Sequence, residues 1–205
     1  DLEIRGSGNM LGAAQSGHVA EIGFELYLKM LQETIRKMKR GDAAESDMSV
    51  KPIHTEIDIN IQAYLPEEYI SDTRLRIGLY QRLDNLLNQE ELDDMLDELI
   101  DRFGEPEKPV MNLLSLISLK QLAGQAGIVS IKQRKSNVYI KIDPSFEFDI
   151  QQLLSYVAHS FGRLMLKNID EETYVVMDVA KVTNSSKLLD SLKLVVNDIK
   201  EIVSR

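Results

Sequence analysis

The chain contains no cysteine, which excludes disulfides, thiolate nucleophiles and cysteine-built zinc sites. That absence is compatible with a reducing cytoplasm, the expected location. No apolar run approaches the roughly 20 residues that cross a bilayer, so no membrane partner is expected. The opening residues Asp1-Leu2-Glu3-Ile4-Arg5 contain neither a leading methionine nor the apolar stretch of a signal peptide. We therefore expect a chain that starts inside a longer polypeptide.

Several kinds of site are missing as well. No G-x-x-x-x-G-K-[ST] loop occurs, so the chain lacks the phosphate cradle of a P-loop ATPase. Gly6-Ser7-Gly8-Asn9-Met10-Leu11-Gly12 approaches a dinucleotide fingerprint. It has one residue too many before the last glycine, and no apolar strand precedes it. His18, His54 and His159 are not paired at metal-ligand spacing, and Ser7 and Ser16 lack the G-x-S-x-G setting of a serine nucleophile. No catalytic residue and no metal ligand is assigned.

What is present is acid. Against 24 Lys and Arg stand 33 Asp and Glu, a formal charge of -9. Such a surface repels phosphate backbones and suits a basic protein partner, or serves solubility alone.

Along the chain, residues 1 to 17 are punctuated by glycine, the mark of a loop. From His18 to Arg40, Val19, Ile22, Leu26, Met30, Ile35 and Met38 recur at helical spacing, and Gly41 is a plausible stop. Residues 41 to 54 are small, acidic and aperiodic, and read as a linker. Beyond it Ile57, Ile59, Ile61 and Ala63 alternate with polar residues, which predicts a half-buried strand ended by Pro66. Three helices follow. The first is marked by Leu75, Leu79, Leu83 and Leu86. The second runs from about Gln89 to Phe103, with Leu92, Met95, Leu96, Leu99, Ile100 and Phe103 inward and Gly104 as cap. The third carries Val110, Leu113, Leu114, Ile117 and Leu122. Residues 128 to 134 and 137 to 143 read as a hairpin, then a helix carries Ile150, Leu153, Leu154 and Val157. Residues 163 to 167 and 173 to 179 read as a second hairpin, and 186 to 203 as a closing helix. The expected class is α+β: an N-terminal loop and helical hairpin appendage, then a domain of helices with small antiparallel β-hairpins.

Two segments are candidates for function. Glu90, Glu91, Asp93, Asp94, Asp97, Glu98 and Asp101 cover the polar side of the second helix. That face is either a solubilising surface or a contact surface, on which Glu98 and Asp101, three residues apart, would meet arginines of a partner. In the N-terminal segment, Arg5 and Gln15 flank glycines that lead into a helix start. This arrangement suits a phosphate or moving backbone, or is a simple connector.

The runs Asp1-Leu2-Glu3-Ile4-Arg5-Gly6, Leu11-Gly12, Gln15-Ser16-Gly17-His18 and Ile22-Gly23-Phe24-Glu25-Leu26-Tyr27 resemble the segment after the second helicase lobe of bacterial transcription-repair coupling factors. The RecG branch-migration helicase has a related form of the first part. Ala63-Tyr64-Leu65-Pro66-Glu67-Glu68-Tyr69-Ile70 and Glu98-Leu99-Ile100-Asp101-Arg102-Phe103-Gly104 resemble the C-terminal domain of the coupling factors, which RecG lacks. The likeness is strong over residues 1 to 125 and rests on element order after that.

The resemblance implies that residues 1–45 end a helicase motor. Arg5, Gly6, Gly12, Gln15 and Gly17 would belong to its DNA translocation motif. Residues 46–205 would form a regulatory domain. The implied parent is an ATP-driven, magnesium-dependent translocase on double-stranded DNA. It displaces stalled RNA polymerase and recruits the excision-repair damage-recognition protein. This segment would itself hold no cofactor and would restrain the parent by resting on its N-terminal repair-protein-binding module. Glu98, Asp101 and Arg102 are the implied contact face. The alternatives are a free-standing acidic scaffold and an independent hydrolase.

Overall fold

The computed structural model describes residues 55–203. The glycine-rich segment, the helix expected over 18 to 40, the linker, the domain boundary and Arg5, Gly6, Gly12, Gln15 and Gly17 lie outside the described residues.

The elements in chain order are β1 (Glu56–Asp58), α1 (Thr73–Asp84), α2 (Gln89–Phe103), α3 (Lys108–Gln125), β2 (Ile128–Arg134), β3 (Asn137–Ile142), α4 (Ile150–Ala158), β4 (Leu164–Ile169), β5 (Glu172–Asp178) and α5 (Ser185–Val203). The fold is α+β. The two expected hairpins are present, but they join edge to edge in one mixed sheet of order β1-β2-β3-β5-β4. β1 runs parallel to β2 and every other pairing is antiparallel.

Local chemistry sets the helix ends. Asp72 caps α1 by accepting from the Leu75 amide at 2.9 Å. Asn88 does the same for α2 through the Glu91 amide at 2.9 Å, while Glu91 reaches back to the Leu87 amide at 2.7 Å. Gly104 ends α2 at φ 85, its N–H donating to the Ile100 carbonyl. Pro109 stands in the first turn of α3, where its missing N–H costs nothing. The β4–β5 turn places Asp170 and Glu171 at φ 51 and 65, the twist that a two-residue hairpin needs.

One face of the sheet is apolar. Ile131, Val138, Ile140, Val175 and Met177 are all fully buried and share a single core with α3 and α5. The other face mixes apolar side chains such as Val176 and Met165 with ion pairs that tie strands together. Lys132 pairs with Glu56 at 2.9 Å, Arg134 with Asp58 at 3.2 Å and Lys141 with Glu172 at 2.6 Å.

Two elements differ from the sequence reading. The alternation from Ile57 does not mark a long strand, since only Glu56–Asp58 pairs with β2. Burial still alternates: Ile59, Ile61, Ala63 and Leu65 are buried. Past Asp58 the backbone leaves the sheet and finds other partners. Tyr64 N–H donates to the Pro109 carbonyl, Leu65 N–H to the Tyr80 hydroxyl at 2.7 Å, and the Asn112 amide donates to the Gln62 carbonyl at 2.9 Å. An extended segment threaded between layers thus shows the period of a strand without a ladder. In α4 only Leu153 is buried, while Ile150 and Leu154 are 59% and 50% exposed. That helix touches the core along one narrow line.

Candidate functional site

Helix α2 is amphipathic in the simplest sense. Leu92, Met95 and Leu99 are buried, Leu96 and Phe103 pack partly against the core, and the opposite side is carboxylate. Its C-terminal end is pinned by Tyr69. The Tyr69 hydroxyl lies 2.8 Å from the Gly104 carbonyl and 3.2 Å from that of Leu99, and its ring is 5.8 Å from Phe103. The acidic face is therefore carried on a fixed support.

Glu98 and Asp101 differ in their surroundings. Both Glu98 oxygens are taken up within the chain. Arg82, from the last turn of α1, donates from Nη1 to Oε1 at 2.8 Å and from Nη2 to Oε2 at 2.6 Å. Arg102 adds a bond from Nη1 to Oε1 at 2.7 Å, and its guanidinium lies 5.0 Å from the Phe103 ring centroid. The bidentate fork is the strongest geometry for such a pair and ties α1 to α2. Asp101 is exposed, and its side chain, like those of Glu90, Asp94 and Asp97, makes no hydrogen bond or ion pair among the described residues. The face thus offers free carboxylates beside an arginine pair closed over one glutamate.

The sequence reading placed Glu98, Asp101 and Arg102 on this helix and missed Arg82. Arg102 stands four residues from Glu98, a spacing visible in sequence. Arg82 meets Glu98 only because α1 packs beside α2, and no local pattern announces that.

The clamp sets the titration of Glu98. Hydrogen bonds from Arg82 first and Arg102 second hold its carboxyl down at about 2, and the same bond raises Arg82. A carboxyl whose pKa falls on folding stabilises the fold above its ordinary value and loses that contribution as pH drops towards the folded value. The three side chains are partly solvated, so the net contribution is about 1 kcal/mol. Glu98→Gln is expected to lower stability by that amount near neutrality. The difference from wild type should shrink between pH 4.5 and pH 2 in denaturant titrations. A gap that is constant with pH would show that the clamp is not ionic.

Elsewhere an open concavity of about 550 Å³ is lined by Asn60, Ile61, Gln62, Lys108, Pro109, Asn112 and Ser185. This lining has no carboxylate or imidazole to act with Lys108, so it lacks the acid–base pair of a hydrolytic site. Among the described residues no three His, Asp or Glu side chains are placed to hold a metal ion, and no helix is long and apolar enough to cross a membrane.

Comparison with known proteins agrees with this fold. A family model described as the TRCF domain matches residues 59–153, a span that includes α2 entire. The transcription-repair-coupling factor of Bacillus subtilis (strain 168) is 34% identical over 204 residues, 98% of this chain and 17% of its own length. That of Staphylococcus epidermidis is 36% identical over 202 residues, again 98% of this chain and 17% of the relative. A crystal structure of the C-terminal domain of transcription-repair coupling factor shares the fold at a TM-score of 0.66 and 24% identity, covering 74% of this chain and 94% of that one. The chain spans about one sixth of the length of the curated relatives it matches. By sequence match along nearly its whole length and by fold, this chain belongs to the transcription-repair-coupling factor family and corresponds to the C-terminal part of those proteins.

Proposed function

We propose that the described domain is an autoinhibitory protein-docking module of an ATP-driven DNA translocase, and that α2 is its contact face. The observation that carries this reading is the α2 surface itself: unpaired Asp94, Asp97 and Asp101 beside the closed Arg82–Glu98–Arg102 cluster, on a helix anchored from behind. A solvated charged surface of this kind makes contacts of modest strength, which suits a clamp that must open.

In the parent, the docking partner is the N-terminal module that binds the excision-repair damage-recognition protein. Covering that module holds the resting enzyme back until the motor engages double-stranded DNA and a stalled RNA polymerase. ATP and magnesium act in the motor, outside this chain. Residues 1–45 are the end of that motor, with Arg5, Gly6, Gly12, Gln15 and Gly17 in the motif that passes movement to DNA.

The test is Glu98→Ala with Asp101→Ala in the full-length protein. Glu98→Ala releases Arg82 and Arg102, and Asp101→Ala removes a free carboxylate. Basal ATP hydrolysis and binding of the damage-recognition protein should both rise, by about tenfold for an interface weakened by roughly 1.4 kcal/mol. If both stay at wild-type level while the protein remains folded, α2 is not the clamp.

A further inference from the structure

We infer that the free edge of β4 is a docking site for an extended strand of another protein with the pattern apolar–x–acidic–x–apolar. Among the described residues β4 ends the sheet and pairs through six unbroken positions with β5 only, without a bulge or a proline. Edges of this kind add strands unless something covers them. The opposite edge, β1, is only three residues long.

The hydrogen bonds at the strand entry show which groups are open. The Leu164 N–H donates to the Ser160 hydroxyl at 2.9 Å, so it points away from β5. Asp178 N–H donates to the Arg163 carbonyl at 2.9 Å, so Arg163 points towards β5. Main-chain groups alternate along a strand. Hence Met165, Lys167 and Ile169 bond to β5, while the N–H and C=O of Leu166 and Asn168 face outward. Ser160 closes the entry and leaves those four groups for a partner.

Side chains on this edge state what the partner carries. Met165 and Ile169 are 42% and 41% exposed, on the same face as Lys167 between them. Phe161, just before the strand, is 99% exposed. With Ile150 and Leu154, five of the eight large apolar side chains exposed among the described residues fall between 150 and 169. An incoming strand that exchanges bonds with Leu166 and Asn168 places one residue directly opposite Lys167 in a close, non-hydrogen-bonded pair. An acid there meets the ammonium, and its neighbours two positions away meet Met165 and Ile169. Self-pairing centred on that position sets Lys167 against Lys167, which disfavours a second copy. The lysine therefore guards the edge against its own kind and selects an acidic strand.

The test uses the whole 205-residue chain, nitrogen-15 labelled, and the synthetic peptide Thr-Val-Thr-Glu-Thr-Val-Thr, with a control peptide carrying lysine for glutamate. The glutamate peptide should shift the Leu166 and Asn168 amides first and bind roughly fivefold more tightly than the control. Lys167→Glu should reverse that order while leaving the rest of the spectrum in place. Absence of shifts in β4 up to millimolar peptide, or an order that Lys167→Glu does not reverse, would overturn the assignment. So would concentration-dependent dimerisation that perturbs the same amides, because a second copy would then be the occupant. The α2 face is a different surface, so its failure in the full-length assay leaves this result standing.

Discussion

Leu99→Ala is expected to lower the unfolding free energy by about 3 kcal/mol. Leu99 is fully buried on the inner side of α2, directly behind the acidic face, and its carbonyl lies 3.2 Å from the Tyr69 hydroxyl. Truncation removes the transfer free energy of the side chain and leaves a cavity that rigid neighbours cannot fill. For a domain of this size the loss corresponds to a fall of roughly 10 °C in Tm. Asp101→Ala, two residues along and exposed, should stay within about 0.5 kcal/mol of wild type. Differential scanning calorimetry of the two variants separates the support from the surface. Equal losses would mean that α2 is not held by its apolar side.

Gly127→Ala has the second large effect. Gly127 links α3 to β2 at φ 70, a left-handed conformation that a Cβ disfavours by about 1 kcal/mol. An added Cβ would also fall 2.5 Å from Phe146 Cγ and 2.6 Å from Cδ1. The turn after β3 brings that ring in, because Asp143 N–H donates to the Gly127 carbonyl at 2.8 Å and Phe146 N–H to the Asp143 carbonyl. The Phe146 ring is half-buried and can swing outward, which limits the total loss to about 2–3 kcal/mol. Pairing Gly127→Ala with Phe146→Ala should recover the steric part and leave the backbone part near 1 kcal/mol. Chemical denaturation of the two single variants and the double variant measures this. Strict additivity would show that the ring and the glycine do not meet.

How much of this was legible in sequence depended on whether the signal was local. The bounds of α2 followed from residues within one turn of its ends: Asn88 with Glu91 at the start and Gly104 at the stop. The hairpins followed from alternation interrupted by short turns. The joining of those hairpins into one sheet was not legible, because β3 meets β5 across more than thirty residues of chain. Nor was the early end of β1. Ile59 to Leu65 keep the burial period of a strand while their amides bond elsewhere. The helix α4 misled in the other direction: Ile150 and Leu154 are apolar at the right spacing and still face outward. At the candidate site the family resemblance pointed to Glu98, Asp101 and Arg102; the structure joins Glu98 and Arg102 with Arg82 and leaves Asp101 outside that cluster. Arg82 came from the packing of two helices and changed the chemistry of Glu98, from a carboxylate awaiting a partner to one already held.

The central claim is that this domain restrains its parent through the outer face of α2. Supplying the 205-residue chain in trans to a parent from which only residues 46–205 have been removed, leaving residues 1–45 with the motor, tests it most directly. Basal ATP hydrolysis should fall as the chain is titrated in, and binding of the damage-recognition protein should fall with it. The chain carrying Glu98→Ala and Asp101→Ala should have no such effect at the same concentration. A truncated parent that ignores the wild-type chain, or one suppressed equally by both forms, would contradict the account.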